Sequence, residues 1–228
     1  MKKSSWYIKV VIKGFLAIVF ILVFIFGLAG RWDYWQGWMF SMACIVLYLV
    51  SIYLFREKLD LGKERLKPGP GMKWWDKLYF ILTTPLYIVL IVIAPLDAGR
   101  FLWTKSLPLS VYIVGFLMFL LAMLMAQWAK YVNKFFSSVV RIQKDRKQTV
   151  VQSGPYQYIR HPGYLGGVFL GFGISLALGS LHGLIPAFLL AVLIIMRTFL
   201  EDRCLYKELA GYKEYTKKVK YRLVPGIW

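Results

Sequence analysis

Two polar stretches stand out against an otherwise greasy chain: Gly154-Pro155-Tyr156-Gln157-Tyr158-Ile159-Arg160-His161-Pro162-Gly163-Tyr164 and Arg197-Thr198-Phe199-Leu200-Glu201-Asp202-Arg203. Gly154-Pro155 is a turn signal, and the residue before each proline is pushed out of the α region. His161 is therefore expected to be extended, with a helix starting near Pro162. Gly163, Gly166 and Gly167 let that helix start approach a ligand or another helix closely. Free backbone N–H groups at a helix start suit carboxylates and other electron-rich groups. Arg197 and Glu201 stand four apart, on one helix face. A carboxylate beside such a turn can take ribose hydroxyls or an amino group, and an arginine can hold an anion by paired hydrogen bonds. The same residues equally suit a membrane-interface loop followed by an i,i+4 ion pair.

The elements that position these residues follow from composition. Of 228 residues 59% are hydrophobic, yet the formal charge is +18, from 29 Lys and Arg against 11 Asp and Glu. Greasy and basic together indicate membrane spans joined by cationic loops. The basic residues avoid the long apolar runs instead of forming one patch, so no nucleic-acid partner is expected. Two cysteines, Cys44 and Cys204, give no disulfide framework, and two histidines, His161 and His182, give no metal site. A bilayer core needs about 20 apolar residues per helix. Six stretches approach this: Val10–Gly30, Trp35–Phe55, Leu78–Pro95, Leu109–Ala129, Tyr164–Gly179 and Leu184–Leu200. The first exceeds a signal-peptide core and is read as a retained span. Pro85 is expected to kink the third. Trp32, Tyr34, Trp35 and Trp38 read as an interfacial belt. The fold class is all-α: a polytopic membrane protein of about six transmembrane helices, with a C-terminal helical hairpin and a cytoplasmic cofactor pocket. The chain reads as one membrane domain over 1–228, with spans one to three in 1–107, and spans four to six and a cytoplasmic tail in 108–228.

The Lys and Arg counts alternate segment by segment: four at the N-terminal end (Lys2, Lys3, Lys9 and Lys13), then one, seven, two, seven, none, and eight from Arg197 onward. Six spans collect 26 of the 29 on one side, which the positive-inside rule makes cytoplasmic, with both termini. Only Ser180-Leu181-His182-Gly183 separates the last two spans, so connectivity brings the two polar stretches together on that face.

At these residues the chain resembles the isoprenylcysteine carboxyl methyltransferase and phospholipid methyltransferase superfamily of integral membrane enzymes, in its bacterial form. The shared pattern is Gly154 to Tyr156, then Arg160-His161-Pro162-x-Tyr164-x-Gly166, a short hairpin, Arg197-x-x-x-Glu201-Asp202, and a tail at Gly211-Tyr212-Lys213-Glu214-Tyr215. It covers about Asn133 to Pro225, and Leu61 to Asp76 resembles bacterial members more weakly. The resemblance implies S-adenosylmethionine as cofactor. It also implies that Arg141, Gln148, Thr149, Val150, Val151, Tyr156, His161, Pro162, Gly163, Tyr164 and Glu201 contact the cofactor, and that Arg197 faces a lipophilic acceptor entering from the bilayer. Arg197 and Glu201 are the implied catalytic pair. Arg141 stands where the prenylcysteine enzymes have glutamine, and Asp202 replaces a second glutamate. The fourth span lacks Gly-x-Gly, a feature of the phosphatidylethanolamine enzymes, which favours a prenylcysteine carboxylate-like acceptor over a phospholipid amine. A membrane reductase of the sterol-reductase type using NADPH shares the architecture, although no Gly-rich dinucleotide fingerprint is present. A transporter would place charges at mid-bilayer instead of at its edge, and no internal repeat supports one. No obligate protein partner is evident.

The charge alternation makes a topological prediction. In right-side-out vesicles, an impermeant maleimide should label a cysteine placed at Leu181 and spare one placed at Lys147. The reverse pattern would invert the assignment.

Overall fold

The structure is a computed structural model that describes residues 2–56 and 71–228, and of residues 2–11 and 13 the backbone only. Most of the Leu61–Asp76 segment therefore lies outside the described residues. Seven α-helices occur among them: α1 (Lys2–Ala29), α2 (Trp35–Phe55), α3 (Trp74–Pro95), α4 (Leu109–Val132), α5 (Pro162–Ala177), α6 (Leu184–Glu208) and α7 (Tyr212–Lys218). Four stretches are long and apolar enough to cross a bilayer: Trp35–Phe55, Trp74–Phe101, Leu109–Val132 and Leu184–Glu208. Two further apolar helices are shorter: Pro162–Ala177, and Gly14–Ala29, which is part of α1. The all-helical, polytopic membrane architecture expected from composition is what the chain adopts.

The helix limits differ from the hydropathy limits where polar residues find partners. α6 continues eight residues beyond Leu200, because Asp202 and its neighbours are bonded within the protein and need no bilayer. α5 has 16 residues, about 24 Å at 1.5 Å per residue, short of a hydrocarbon core of about 30 Å. α3 passes through Pro85 and ends at Pro95, after which Leu96–Phe101 winds as a wider π-helical turn.

α5 is the centre of the bundle, packed between α4 and α6, while α3 lies against α6 and α1 against α2. Lipid tails are as apolar as leucine, so close backbone approach has to hold helices together. A Cβ at Gly166 would come within 2.5 Å of the Ala122 carbonyl oxygen, and one at Gly173 within 2.5 Å of the Phe119 backbone nitrogen. Any side chain there would push α4 and α5 apart. Ile25, Leu47, Leu90, Phe119, Ile174 and Leu190 close the core across six helices.

Opposite the polar stretches, the buried Asp97 gathers two loops. It accepts hydrogen bonds from the Thr104 backbone N–H and hydroxyl, both at 2.7 Å, and from the Ser180 hydroxyl at 2.6 Å. His182 Nδ1 lies 3.1 Å from the same carboxylate. The α5–α6 hairpin is thereby tied to the α3–α4 connection. Tyr34, assigned to an interfacial belt by its neighbours, is instead fully buried and donates to the Leu178 carbonyl. Trp32, Trp35 and Trp38 are exposed, as a belt requires.

At the other end, Asp76 in the first turn of α3 faces Arg197 of α6, with Oδ1 and Nε 2.8 Å apart. The N–H is not aligned on that oxygen, so the contact is one of charge. Asp76 also accepts from the Val140 N–H at 2.7 Å, Lys73 N–H donates to the Val140 carbonyl, and Arg197 donates to the Ser138 carbonyl at 2.8 Å. These bonds dock the segment between α4 and α5 onto α3 and α6. Both side chains are buried, so truncating one strands the other's charge at a cost of about 3–5 kcal/mol. Arg197→Ala should lower thermal stability in detergent by that order, and adding Asp76→Asn should recover part of it. Equal losses in the single and double variants would contradict the pairing.

Candidate functional site

The segment from Asn133 to His161 folds around Gln143, a buried side chain that donates to the Phe135 carbonyl at 2.6 Å and accepts from Arg146 at 2.7 Å. The Gln148 side-chain oxygen accepts from the Gln143 N–H at 2.7 Å. The result is a wall facing the start of α5 and the last turns of α6. Pro162 begins α5 at its first turn and His161 precedes it with φ −127° and ψ 61°, the non-helical backbone expected before proline.

One carboxylate organises the opposite wall. Asp202 Oδ1 accepts from Arg160 Nε at 2.8 Å and the Tyr212 hydroxyl at 2.8 Å, and lies 3.1 Å from His161 Nε2. Its Oδ2 accepts from Arg160 at 3.1 Å and from Arg222 Nε at 2.8 Å. Arg160 spends its remaining terminal nitrogen on the carbonyls of Val219 and Lys220, at 2.9 and 2.8 Å. The Arg160 and His161 backbone N–H groups donate to the carbonyls of Tyr221 and Arg222. The tail after α7 is thus fastened across the Arg-His-Pro turn. Tyr215 adds a bond to the Tyr156 carbonyl at 2.7 Å, and Asn133 donates to the Tyr156 hydroxyl at 3.1 Å. Burial, reinforced by the Asp202 charge, raises the Tyr212 hydroxyl well above the ordinary tyrosine range, so it stays a donor at neutral pH.

Between the walls lies a cavity with about 850 Å³ of empty space, its open mouth included. Of the residues that the sequence nominated, Arg141, Gln148, Thr149, Val150, Val151, Tyr156, His161, Gly163, Tyr164 and Glu201 all line it. Pro162 does not: it is buried behind the wall, where it starts the helix. Arg197 does not line it either. Its guanidinium is held by Asp76 and lies 4.3 Å from the Tyr79 ring centroid and 5.3 Å from that of Tyr164. Tyr164 itself donates to Glu201.

The charges of the cavity are unevenly spent. Arg141 is engaged by Asp145, at 2.8 and 3.3 Å. That pairing holds the Asp145 carboxyl below the ordinary range. Arg160 is engaged by Asp202. Glu201, by contrast, has no ion pair among the described residues; a neutral hydroxyl is its partner. The cavity thus offers a carboxylate without an ion pair of its own among committed guanidinium groups, a set suited to a cation.

Sequence reasoning missed several lining residues, among them Asn133, Phe135, Gln143, Leu205 and Tyr212. Leu205 was accessible to it, four residues after Glu201 on one helical face; Gln143 was not, since only the fold of the connecting segment buries it. A second, apolar groove with about 1360 Å³ of empty space opens on the flank of α4 and α5, lined by Leu54, Met118, Leu121, Met125, Trp128 and Phe169. The Gln127 amide at its edge is turned to the Ser51 hydroxyl.

Comparison with known proteins gives two kinds of likeness. A probable 7-dehydrocholesterol reductase of Acanthamoeba polyphaga mimivirus is 26% identical over 212 residues, covering 84% of this chain and 46% of that protein. The Delta(14)-sterol reductase TM7SF2 of Mus musculus is 35% identical over 80 residues, covering 33% of this chain and 19% of that protein. The chain spans less than half the length of these relatives. The family model for phospholipid methyltransferases matches residues 110–210, a stretch holding α4, the connecting segment, α5, α6 and most of the cavity wall. Over that stretch the chain is similar to the phospholipid methyltransferase family.

Proposed function

We propose that this chain is an integral membrane methyltransferase that uses S-adenosylmethionine and acts on a lipophilic acceptor of the prenylcysteine carboxylate kind, with its cavity and both termini on the cytoplasmic side. One observation carries the reading: Glu201 is the cavity carboxylate with no ion pair among the described residues, while Arg141 and Arg160 are already paired. S-adenosylmethionine presents a sulfonium and an ammonium against one carboxylate, and so suits an acidic site. NADPH presents a pyrophosphate and a further phosphate, which need arginines or lysines with free donors.

In this reading Glu201, braced by Tyr164, takes the ammonium group. His161, Tyr156 and Gly163 form one side of the cofactor site. Arg141, Gln148, Thr149, Val150 and Val151 form the other, with Pro162 fixing the turn from behind. When bound, the cofactor supplies a methyl group on a positively charged sulfur that leaves as a neutral thioether. The protein's task is then to align the acceptor and exclude water. A carboxylate acceptor is ionised at neutral pH and needs no base. Arg197 acts on the acceptor side through the Tyr164 ring that it underlies. The apolar groove on α4 and α5 suits the acceptor's hydrocarbon tail.

The sterol-reductase reading keeps one specific support, the viral relative whose likeness extends over 84% of the chain. Calorimetry on the purified protein separates the two. S-adenosylhomocysteine should bind and NADPH should not, and Glu201→Gln should weaken S-adenosylhomocysteine about 10- to 100-fold, the worth of a charged hydrogen bond. NADPH binding tightly, with S-adenosylhomocysteine inert, would overturn the proposal.

A further inference from the structure

Asp202 is in contact with two guanidinium groups, those of Arg160 and Arg222, and with the hydroxyl of Tyr212. A carboxylate so surrounded is ionised and can only accept hydrogen bonds. The ring nitrogen facing it, His161 Nε2 at 3.1 Å, must therefore carry a hydrogen. The ring is further fixed by lying nearly parallel to that of Tyr164, at 13° and 5.7 Å between centroids. Its backbone is fixed by the N–H bond to the Arg222 carbonyl. The other nitrogen, Nδ1, bonds to no group among the described residues, and the residue lines the cavity.

From this geometry we infer that Asp202 is a positioning residue that holds the His161 Nε2–H toward itself, leaving the Nδ1 lone pair to accept a hydrogen bond from the bound cofactor. Selection of an imidazole tautomer by the partner of its far nitrogen is the general means by which proteins aim histidine. The inference divides recognition within the cavity: Glu201 meets the ligand's positive charge, and His161 meets one of its N–H or O–H donors. It also gives Asp202 a different task from its neighbour Glu201. Asp202 receives five donors from the protein itself and has no capacity left for a ligand. The inference rests on the methyltransferase reading for the identity of the ligand alone.

The chain has two histidines, so nitrogen-15 histidine labelling in detergent resolves them. His182→Gln leaves the signal of His161, with glutamine still able to donate to Asp97. The expected spectrum at neutral pH shows a protonated Nε2 and an unprotonated Nδ1. Saturating S-adenosylhomocysteine should shift Nδ1 and leave Nε2 protonated. Asp202→Asn, which removes the charge but keeps the size, should release the ring into a mixture of tautomers. An Nδ1–H form or an imidazolium in the unliganded protein would overturn the inference, as would an unmoved Nδ1 in protein that calorimetry shows to be saturated. Nδ1 shifting with NADPH while S-adenosylhomocysteine fails to bind would uphold the histidine assignment and defeat the methyltransferase reading instead. The unliganded spectrum requires no substitution in the site, so poor folding of Asp202→Asn leaves the test intact.

Discussion

The Asp202 carboxylate is the interaction on which the functional half depends. It joins four pieces of chain that are distant in sequence: the Arg160-His161 turn, the last turns of α6, Tyr212 of α7, and Arg222 of the tail. Its position is expensive, because a buried carboxylate must recover its lost hydration from the protein. Five donors supply that recovery, and in doing so they close one wall of the cavity. The wall is therefore a by-product of satisfying one charge.

A division of labour between adjacent acids follows. Glu201 and Asp202 are consecutive on a helix, so their side chains diverge by about 100°, the rotation per residue of an α-helix. The longer one reaches Tyr164 and the cavity, and the shorter one is enclosed by the tail. Arg197, one turn earlier, is spent on Asp76 and carries the link to α3. Three charged residues close together on α6 thus perform docking, cavity lining and tail closure in turn.

Much of this was legible in the sequence, and what was not has physical reasons. The α2 limits follow from hydropathy alone, and the proximity of the two polar stretches follows from a four-residue hairpin. The Gly154–Tyr164 turn carries its own signals, two prolines and two glycines. The end of α6 was hidden because hydropathy cannot see that Asp202 and Arg203 continue a helix beyond the apolar run. The Asp97 cluster was hidden because nothing local pairs Asp97 with Ser180, which is 83 residues away. Tyr34 was misjudged among exposed tryptophans because burial of one aromatic in a belt depends on a partner carbonyl, that of Leu178, supplied by another loop.

The likenesses pull in two directions, toward methyltransferases over residues 110–210 and toward sterol reductases over most of the chain. In the reading proposed above, the half-buried Glu201 carboxylate of the cavity favours a positively charged ligand. The most direct test is transfer itself. Protein reconstituted into lipid nanodiscs is incubated with methyl-tritiated S-adenosylmethionine and a farnesylated cysteine analogue, and label in the organic extract is counted. Acceptor-dependent label that disappears with Glu201→Gln is the expected result. No label in the extract, with NADPH oxidised on addition of a sterol instead, would contradict it.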